Sequence, residues 1–273
     1  MEDIAIDVAR ALQEDVGTGD RSASLIAANH RVQAQIKTRE PMLMCGQAWA
    51  NAVFTALNPQ IELEWFVSEG AWVAQPQTLC RITGDARSVL TGERSALNFL
   101  QILSGTATKT YQYLQAMGES TTRLLDTRKT IPGLRQAQKY AVRCAGGMNH
   151  RMGLYDAILI KENHIKACGS IQCAVEQAKA CAHAGLIEVE VETMDEYQEA
   201  RLARPDRILL DNFTEAMLYD AVRLNQPKVC TLEASGGITL DNIARLARTG
   251  VDYISVGDLT KSVRAIDLSL LIL

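Results

Sequence analysis

The chain has 273 residues, 47% of them hydrophobic and 22% charged, an ordinary globular balance with apolar surface enough for one large domain or two smaller ones. The formal net charge of -4, with no basic face and no basic run, argues against a nucleic-acid-binding surface, so any anionic ligand must meet a local cluster of cations. The seven cysteines are odd in number, scattered and without a Cys-x-x-Cys, which argues against a disulfide framework or a zinc site and for a reducing compartment.

The first residues, Met1-Glu2-Asp3-Ile4, are acidic and lack the basic-then-apolar order of a signal peptide. No apolar run approaches the ~20 residues that span a bilayer. A soluble, cytoplasmic protein without membrane partners is expected. Ile4 to Leu12 carry apolar side chains at helical spacing, and Gly17-Thr18-Gly19-Asp20 ends that helix. Val32 to Ile36 and Ile61 to Trp65 alternate apolar and polar, as half-buried strands do, with a helix between them from Ala48 to Leu57. Glu69 to Val73 and Thr78 to Gly84 suggest a hairpin-rich β module, similar to the hammerhead of biotinyl and lipoyl carrier domains. Such carriers need a lysine to modify, and none occurs from Thr38 to Thr108. A long helix is predicted from about Thr91 to Met117, and the domain boundary is placed within it: 1–105 against 106–273, with the last residues free to return to the N-terminal domain.

Beyond that helix, short apolar runs alternate with helical segments, the pattern of repeated βα units and a parallel sheet. The runs are Arg123 to Leu125, Ala157 to Ile160, Ile187 to Val191, Arg207 to Leu210, Thr231 to Ala234 and Tyr253 to Val256. Five of them lead straight into polar or glycine residues: Asp126-Thr127-Arg128-Lys129, Lys161-Glu162-Asn163, Asp211-Asn212, Ser235-Gly236-Gly237 and Gly257-Asp258. A barrel presents catalytic groups at all its C-terminal strand ends, whereas an open doubly wound sheet does so only near its switch point. Polar ends on nearly every strand favour an incomplete barrel of six strands, behind an N-terminal α/β sandwich.

The chemistry follows from those ends. Glycine turns after the last two strands suit a phosphate, which backbone N–H groups can meet without a cationic side chain. Arg128, Lys129, Lys161 and the pair His150-Arg151 would repel one another at one barrel mouth unless an anion or carboxylates balanced them. Glu188, Glu190 and Glu192 alternate with apolar residues where a parallel strand is normally a continuous apolar run. They are expected to project into the mouth, unless this is an edge strand with one wet face. With Asp211 they could hold ribose hydroxyls or Mg²⁺, which prefers carboxylates plus substrate phosphate. The ligand so inferred is a phosphorylated sugar with a metal-bound diphosphate, beside a small carboxylate-bearing partner.

At these residues the chain resembles the quinolinate phosphoribosyltransferases. The ordered set runs over nearly the whole length: Glu14-Asp15-x-Gly17-x-Gly19-Asp20, Gly92 to Leu100, Asp126-Thr127-Arg128-Lys129-Thr130-x-Pro132-Gly133-Leu134-Arg135 and Gly147-x-Asn149-His150-Arg151-x-Gly153-Leu154-x-Asp156. It continues with Leu159 to His164, the Glu188 to Glu192 row, Leu210-Asp211-Asn212, Glu233 to Gly237 and Val256-Gly257. The resemblance implies transfer of the phosphoribosyl group of phosphoribosyl pyrophosphate (PRPP) to quinolinate with loss of carbon dioxide, in NAD biosynthesis. It implies Mg²⁺ held by Glu190 and Asp211, mostly through substrate and water. It also implies a homodimer or higher homo-oligomer in which Arg94 reaches the neighbouring active site. By similarity, quinolinate is gripped by Arg94, Arg128, His150, Arg151 and Lys161. Thr127 and Lys129 also face the reactants, and Lys129, Lys161, Glu190 and Asp211 are the catalytic set. Ser235, Gly236 and Gly237 with Val256, Gly257 and Asp258 would cradle the 5′-phosphate. Three positions depart from the family pattern: Ala145 in a run usually of three glycines, Ser22 where threonine is usual, and Asp258, a carboxylate beside the expected phosphate.

No organic cofactor is expected, because the pyridinium nitrogen formed on transfer can itself act as the electron sink for decarboxylation. Two other readings of the residues stand beside this one: a barrel lyase using Lys161 as a Schiff-base amine, and a non-catalytic or transport-linked metabolite-binding paralogue.

Overall fold

The computed structural model describes residues 2–181 and 185–273; Met1 of the acidic N-terminal stretch lies outside them. In chain order the strands are β1 (Arg31–Thr38), β2 (Met42–Leu43), β3 (Glu62–Trp65), β4 (Trp72–Val73), β5 (Thr78–Asp85) and β6 (Arg123–Leu125). They continue as β7 (Ala157–Ile160), β8 (Leu186–Val191), β9 (Arg207–Asp211), β10 (Thr231–Ser235), β11 (Tyr253–Ser255) and β12 (Leu268–Ile272). The helices are α1 (Glu2–Asp15), α2 (Gln47–Leu57), α3 (Ala86–Met117), α4 (Arg135–Cys144), α5 (Glu162–Cys168), α6 (Ile171–Ala180), α7 (Met194–Ala203), α8 (Glu215–Leu224), α9 (Ile243–Ala247) and α10 (Asp258–Lys261).

The chain divides into two compact units. The first holds 1–111, 131–146 and 260–273; the second holds 112–130 and 147–259. In the first, an antiparallel sheet runs β12-β1-β5-β3, and β2 pairs with β4. β1 reads out its alternation directly: Ala34, Ile36 and Thr38 are buried, while Gln33, Gln35 and Lys37 point the other way. Ile36, Leu79 and Ile82 of the sheet join Leu97, Leu100 and Leu103 of α3 in one apolar core. Gly105 lets the returning C-terminal segment cross α3, since a Cβ there would stand 2.2 Å from the Arg264 carbonyl oxygen. That crossing brings β12 alongside β1, Ala34 opposite Ile272.

In the second unit, six parallel strands run β6-β11-β10-β9-β8-β7. Taken in chain order they are 1-6-5-4-3-2, a cyclic arrangement with the first strand beside the last and no reversal point. That is an incomplete barrel, not a doubly wound sheet. The seam lies between β6 and β7, where Met148 bridges β6: its N–H donates to Leu124 O (2.8 Å) and its carbonyl accepts from Asp126 N–H (3.1 Å). Ser170, Thr193 and Thr214 cap α6, α7 and α8 by accepting backbone N–H bonds, and Glu196 completes a capping box with Thr193. Tyr197 is fully buried behind β8 and β9, its hydroxyl donating to Ala221 O at 2.7 Å.

Candidate active site

Successive side chains of a strand face opposite ways. In β8, Ile187, Val189 and Val191 form the buried apolar set, leaving Glu188 and Glu190 on the other face. Register places Glu188 opposite Leu159 and Arg207, and Glu190 opposite Leu209, which is itself opposite Glu233. One pair further on, Asp211 meets Ser235. The inner face of the barrel is therefore polar at two depths. β8 is an internal strand, not the wet edge strand that its carboxylates also allowed.

The deeper group sets two buried carboxyls against one arginine and a histidine. Arg207 Nη1 donates to Glu233 Oε2 at 2.9 Å, and its guanidinium lies 4.0 Å from the centre of the Tyr253 ring. His150 Nε2 stands 2.9 Å from Glu188 Oε2 and 3.7 Å from Glu233 Oε1. Glu188 is 1% exposed and Glu233 0%. Burial pushes both carboxyls up to about 7; the Glu188 charge adds to the rise at Glu233, while Arg207 opposes it at both. A carboxyl raised in the fold favours the protonated folded state, so its stabilising contribution is complete below the ordinary carboxylate pKa and is lost as pH climbs through about 7. Glu188→Gln keeps the shape and removes the charge. It is expected to flatten the fall in Tm between pH 5 and pH 8; thermal melts of the two proteins running parallel across that range would refute the shared burial cost.

Above that group opens a cavity of about 290 Å³. Thr127, Arg128 and Lys129 reach it from the end of β6, and Leu159 and Lys161 from β7. Glu190, Leu209, Asp211, Ser235 and Ser255 complete the strand-end lining, with Glu233 below. His150 and Arg151 arrive on the seam loop, which is tied down by Asp126. This fully buried carboxylate accepts the His150 N–H at 2.9 Å and the Asn149 side-chain amide at 2.5 Å. His150 Nδ1 in turn accepts the Arg151 N–H at 2.8 Å, and Arg151 Nη1 donates to Ala157 O at 3.2 Å.

The lining is electrostatically strained. Burial, and then the neighbouring Arg128 guanidinium, hold the Arg151 pKa below its ordinary value. Burial, and then Glu190, push Asp211 up. The Lys161 ammonium is bound to the Glu190 carboxylate. Crowded cations that disfavour one another make a receptor for an anion, and two neighbouring carboxylates suit hydroxyls or a divalent cation.

Nine residues expected from the sequence line this one cavity: Thr127, Arg128, Lys129, His150, Arg151, Lys161, Glu190, Asp211 and Ser235. Gly236 and Gly237 follow Ser235 in an exposed turn, both left-handed. Gly257 packs on Lys129, where a Cβ would stand 3.1 Å from Lys129 Cδ. Val256 is buried. The Asp258 carboxylate lies 3.5 Å from the Tyr113 hydroxyl. Arg94 belongs to the first unit, exposed on α3. The carboxylate row divides: Glu190 lines the cavity, Glu188 lies beneath it, and Glu192 is exposed past the end of β8. Sequence reading passed over Leu159, Leu209, Ser255 and the floor residue Arg207. The signal was present for three of them: Leu159 stands two positions before Lys161, and Leu209 and Arg207 stand two and four before Asp211.

A second cavity, about 340 Å³, lies within the first unit, with Asp7, Arg10, Glu14 and Asp15 among its lining residues. One cation against three carboxylates makes it a poor receptor for anionic substrates.

Comparison with known proteins agrees with this geometry. The family description "Quinolinate phosphoribosyl transferase, N-terminal domain" matches residues 20–104, and its C-terminal-domain counterpart matches 106–271. The structure of a nicotinate-nucleotide pyrophosphorylase from Francisella tularensis superposes with a TM-score of 0.96 at 45% identity, covering 100% of this chain and 96% of that one. A nicotinate-nucleotide pyrophosphorylase structure from Ehrlichia chaffeensis gives 0.92 at 34% identity, with 97% of each chain covered. The Mycobacterium leprae protein named nicotinate-nucleotide pyrophosphorylase (carboxylating) is 38% identical over 272 residues, 96% of this chain and 95% of its own length.

Proposed function

The chain belongs to the quinolinate phosphoribosyltransferase family, and we infer that it joins quinolinate to PRPP, releasing pyrophosphate and carbon dioxide to give nicotinate mononucleotide for NAD biosynthesis. It is a pentosyltransferase. The observation that supports this most is the gathering of Arg128, Lys129, Arg151 and Lys161 with two carboxylates over the C-terminal ends of a parallel barrel.

Arg128, Arg151 and Lys161 hold the two ring carboxylates and aim the pyridine nitrogen at the anomeric carbon of PRPP; His150, its ring nitrogens engaged by Glu188 and the Arg151 N–H, braces the wall beside them, and Thr127 and Lys129 border the reacting centre. The bond from that carbon to pyrophosphate breaks through an oxocarbenium-like transition state, and the nitrogen–carbon bond forms. The cations around the cavity meet the departing negative charge. The new pyridinium nitrogen then accepts the electron pair left when the adjacent ring carbon loses carbon dioxide, and a proton takes the place of the carboxyl group. Ser235 to Gly237 with Gly257 and Asp258 hold the 5′-phosphate through backbone N–H groups, and Val256, whose N–H donates to Leu125 O, anchors the second turn. The Asp258 carboxylate is directed to Tyr113, which eases its repulsion of that phosphate. Glu190 and Asp211 face the ribose hydroxyls. Their hard oxygens also fit Mg²⁺, and a divalent cation there would offset the Glu190 repulsion that, after burial, raises Asp211. When bound with the diphosphate, Mg²⁺ supplies charge neutralisation at the leaving group.

The functional unit is a homodimer or larger, with the exposed Arg94 completing a neighbouring subunit's quinolinate site. No described helix is long and apolar enough to cross a membrane. A cytoplasmic location suits the seven cysteines, all free thiols.

Cation count also sets substrate choice. Two carboxylates can engage the guanidinium and ammonium groups gathered here, whereas nicotinate offers one. An arginine left without a partner costs about 1–3 kcal/mol. Turnover of quinolinate is therefore expected to exceed that of nicotinate by at least about five-fold, the lower end of that cost. Ultraviolet loss of quinolinate with PRPP and Mg²⁺, with identification of the product, tests this. Turnover of nicotinate but not quinolinate would reverse the assignment.

A further inference from the structure

At the end of β9 the backbone turns left-handed on a side-chain-bearing residue: Asn212 has a φ of 55°. Strain of this kind persists where the surroundings over-determine it, and it gathers at functional sites. Three contacts constrain Asn212. Its N–H donates to Ser235 O at 2.9 Å, carrying the pairing of β9 and β10 one step past Asp211 and Ser235. Its side-chain Nδ2 donates to Asp211 Oδ2 at 2.9 Å. Its Oδ1 fills the space of a missing side chain, because a Cβ on Gly236 would stand 2.2 Å from it. The left-handed turn brings the amide to Asp211, and the bare Gly236 leaves room for its Oδ1. The consequence falls on Asp211, whose carboxylate lines the cavity beside Glu190.

We propose that Asn212 is a positioning residue for the phosphoribosyl half of the reaction, acting by holding the Asp211 carboxylate at the angle at which it meets the sugar. The proposal rests on the assignment of Asp211 to PRPP made above. It carries an asymmetry that a plain turn residue would not. Apart from the neighbouring subunit's Arg94, the groups assigned to quinolinate stand on β6, β7 and the seam loop, whereas the hydrogen bonds of Asn212 go to Asp211 and Ser235. Loss of the amide should therefore weaken the use of PRPP and spare quinolinate.

Asn212→Gly separates the two roles, since glycine adopts the left-handed turn without strain and loses only the amide. KM for PRPP is expected to rise roughly ten-fold, the scale of one hydrogen bond to a charged group. KM for quinolinate should move less than about two-fold, and Tm should hold or rise slightly. Asn212→Asp is the second variant: it keeps the shape and the tolerance for this turn but sets a carboxylate against Asp211. It should raise the PRPP KM at least as far. An equal rise in both KM values, or no rise in either variant, overturns the proposal. In an Asp211→Asn background, Asn212→Gly should add little further loss, because the group it positions is already altered; fully additive effects also overturn it. Asp211→Asn alone guards the premise. If that variant leaves PRPP use untouched, the assignment of Asp211 fails; if it impairs PRPP use while Asn212→Gly does not, only the present proposal fails.

Discussion

Arg151→Ala and Lys161→Ala are each expected to lower kcat/KM for quinolinate by roughly a hundred- to a thousand-fold or more, the scale on which loss of one preorganised charge-stabilising group is felt. Stability should move the other way at Arg151, or not at all. Its guanidinium is half-buried beside that of Arg128, and burial first, then this crowding, holds its pKa down. Removing one member of a repelling pair relieves the fold while stripping the site of a carboxylate ligand. Lys161 differs, because its ammonium is bound to Glu190. Alanine there leaves Glu190 and Asp211 facing each other without that neutralising charge, so the Asp211 carboxyl, already raised, should rise further. Steady-state kinetics together with thermal melts check both. Near-normal turnover in either variant removes that residue from the site, and a collapse of Tm in Arg151→Ala would show that its role is structural.

Arg207→Met is expected to produce the largest loss of stability of any single change considered, on the order of 3–5 kcal/mol, the range found when one partner of a buried ion pair is deleted. The methionine fills much of the same volume and removes the only Arg or Lys that an ion pair joins to Glu233 among the described residues. Glu188 and Glu233 then remain buried with weaker compensation. The sign with pH is specific. Arg207 favours the ionised forms of both carboxyls, so its removal costs little at pH 5, where protons can replace it, and progressively more as pH rises through about 7. Denaturant unfolding at pH 5 and pH 8 should show the deficit growing between them. A deficit independent of pH would mean that the loss is one of packing on Tyr253 and not of charge.

Much of the fold could be read locally. The strands of the barrel carry their apolar runs within a residue or two of where they form, and Thr193 and Thr214 begin α7 and α8 at places their own chemistry selects. The helix expected from Thr91 begins earlier, at Ala86, where Asp85 accepts the Ser88 N–H at 3.0 Å. Between β10 and β11 the helix α9 is only Ile243–Ala247, because Thr239 and Asn242 satisfy each other in a turn just before it. Two features had no local signal. α4, within the segment 131–146 that groups with the first unit, and β12, paired with β1, are set by contacts between residues far apart in the chain.

The amino-acid order alone determined which chemical groups would stand at strand ends, because period-two alternation and the polar residue after each apolar run are properties of a few consecutive positions. It also determined the charge problem, several cations and carboxylates competing for one mouth. Only the tertiary structure decided their depth. Glu188 and Glu190 are indistinguishable in the alternation, yet one is buried with Arg207, Glu233 and His150 beneath the cavity and the other lines it with Lys161. Burial and the identity of the nearest opposite charge come from residues twenty to forty positions away along the chain. Those two quantities separate a carboxylate that supports the site from one that faces the substrate.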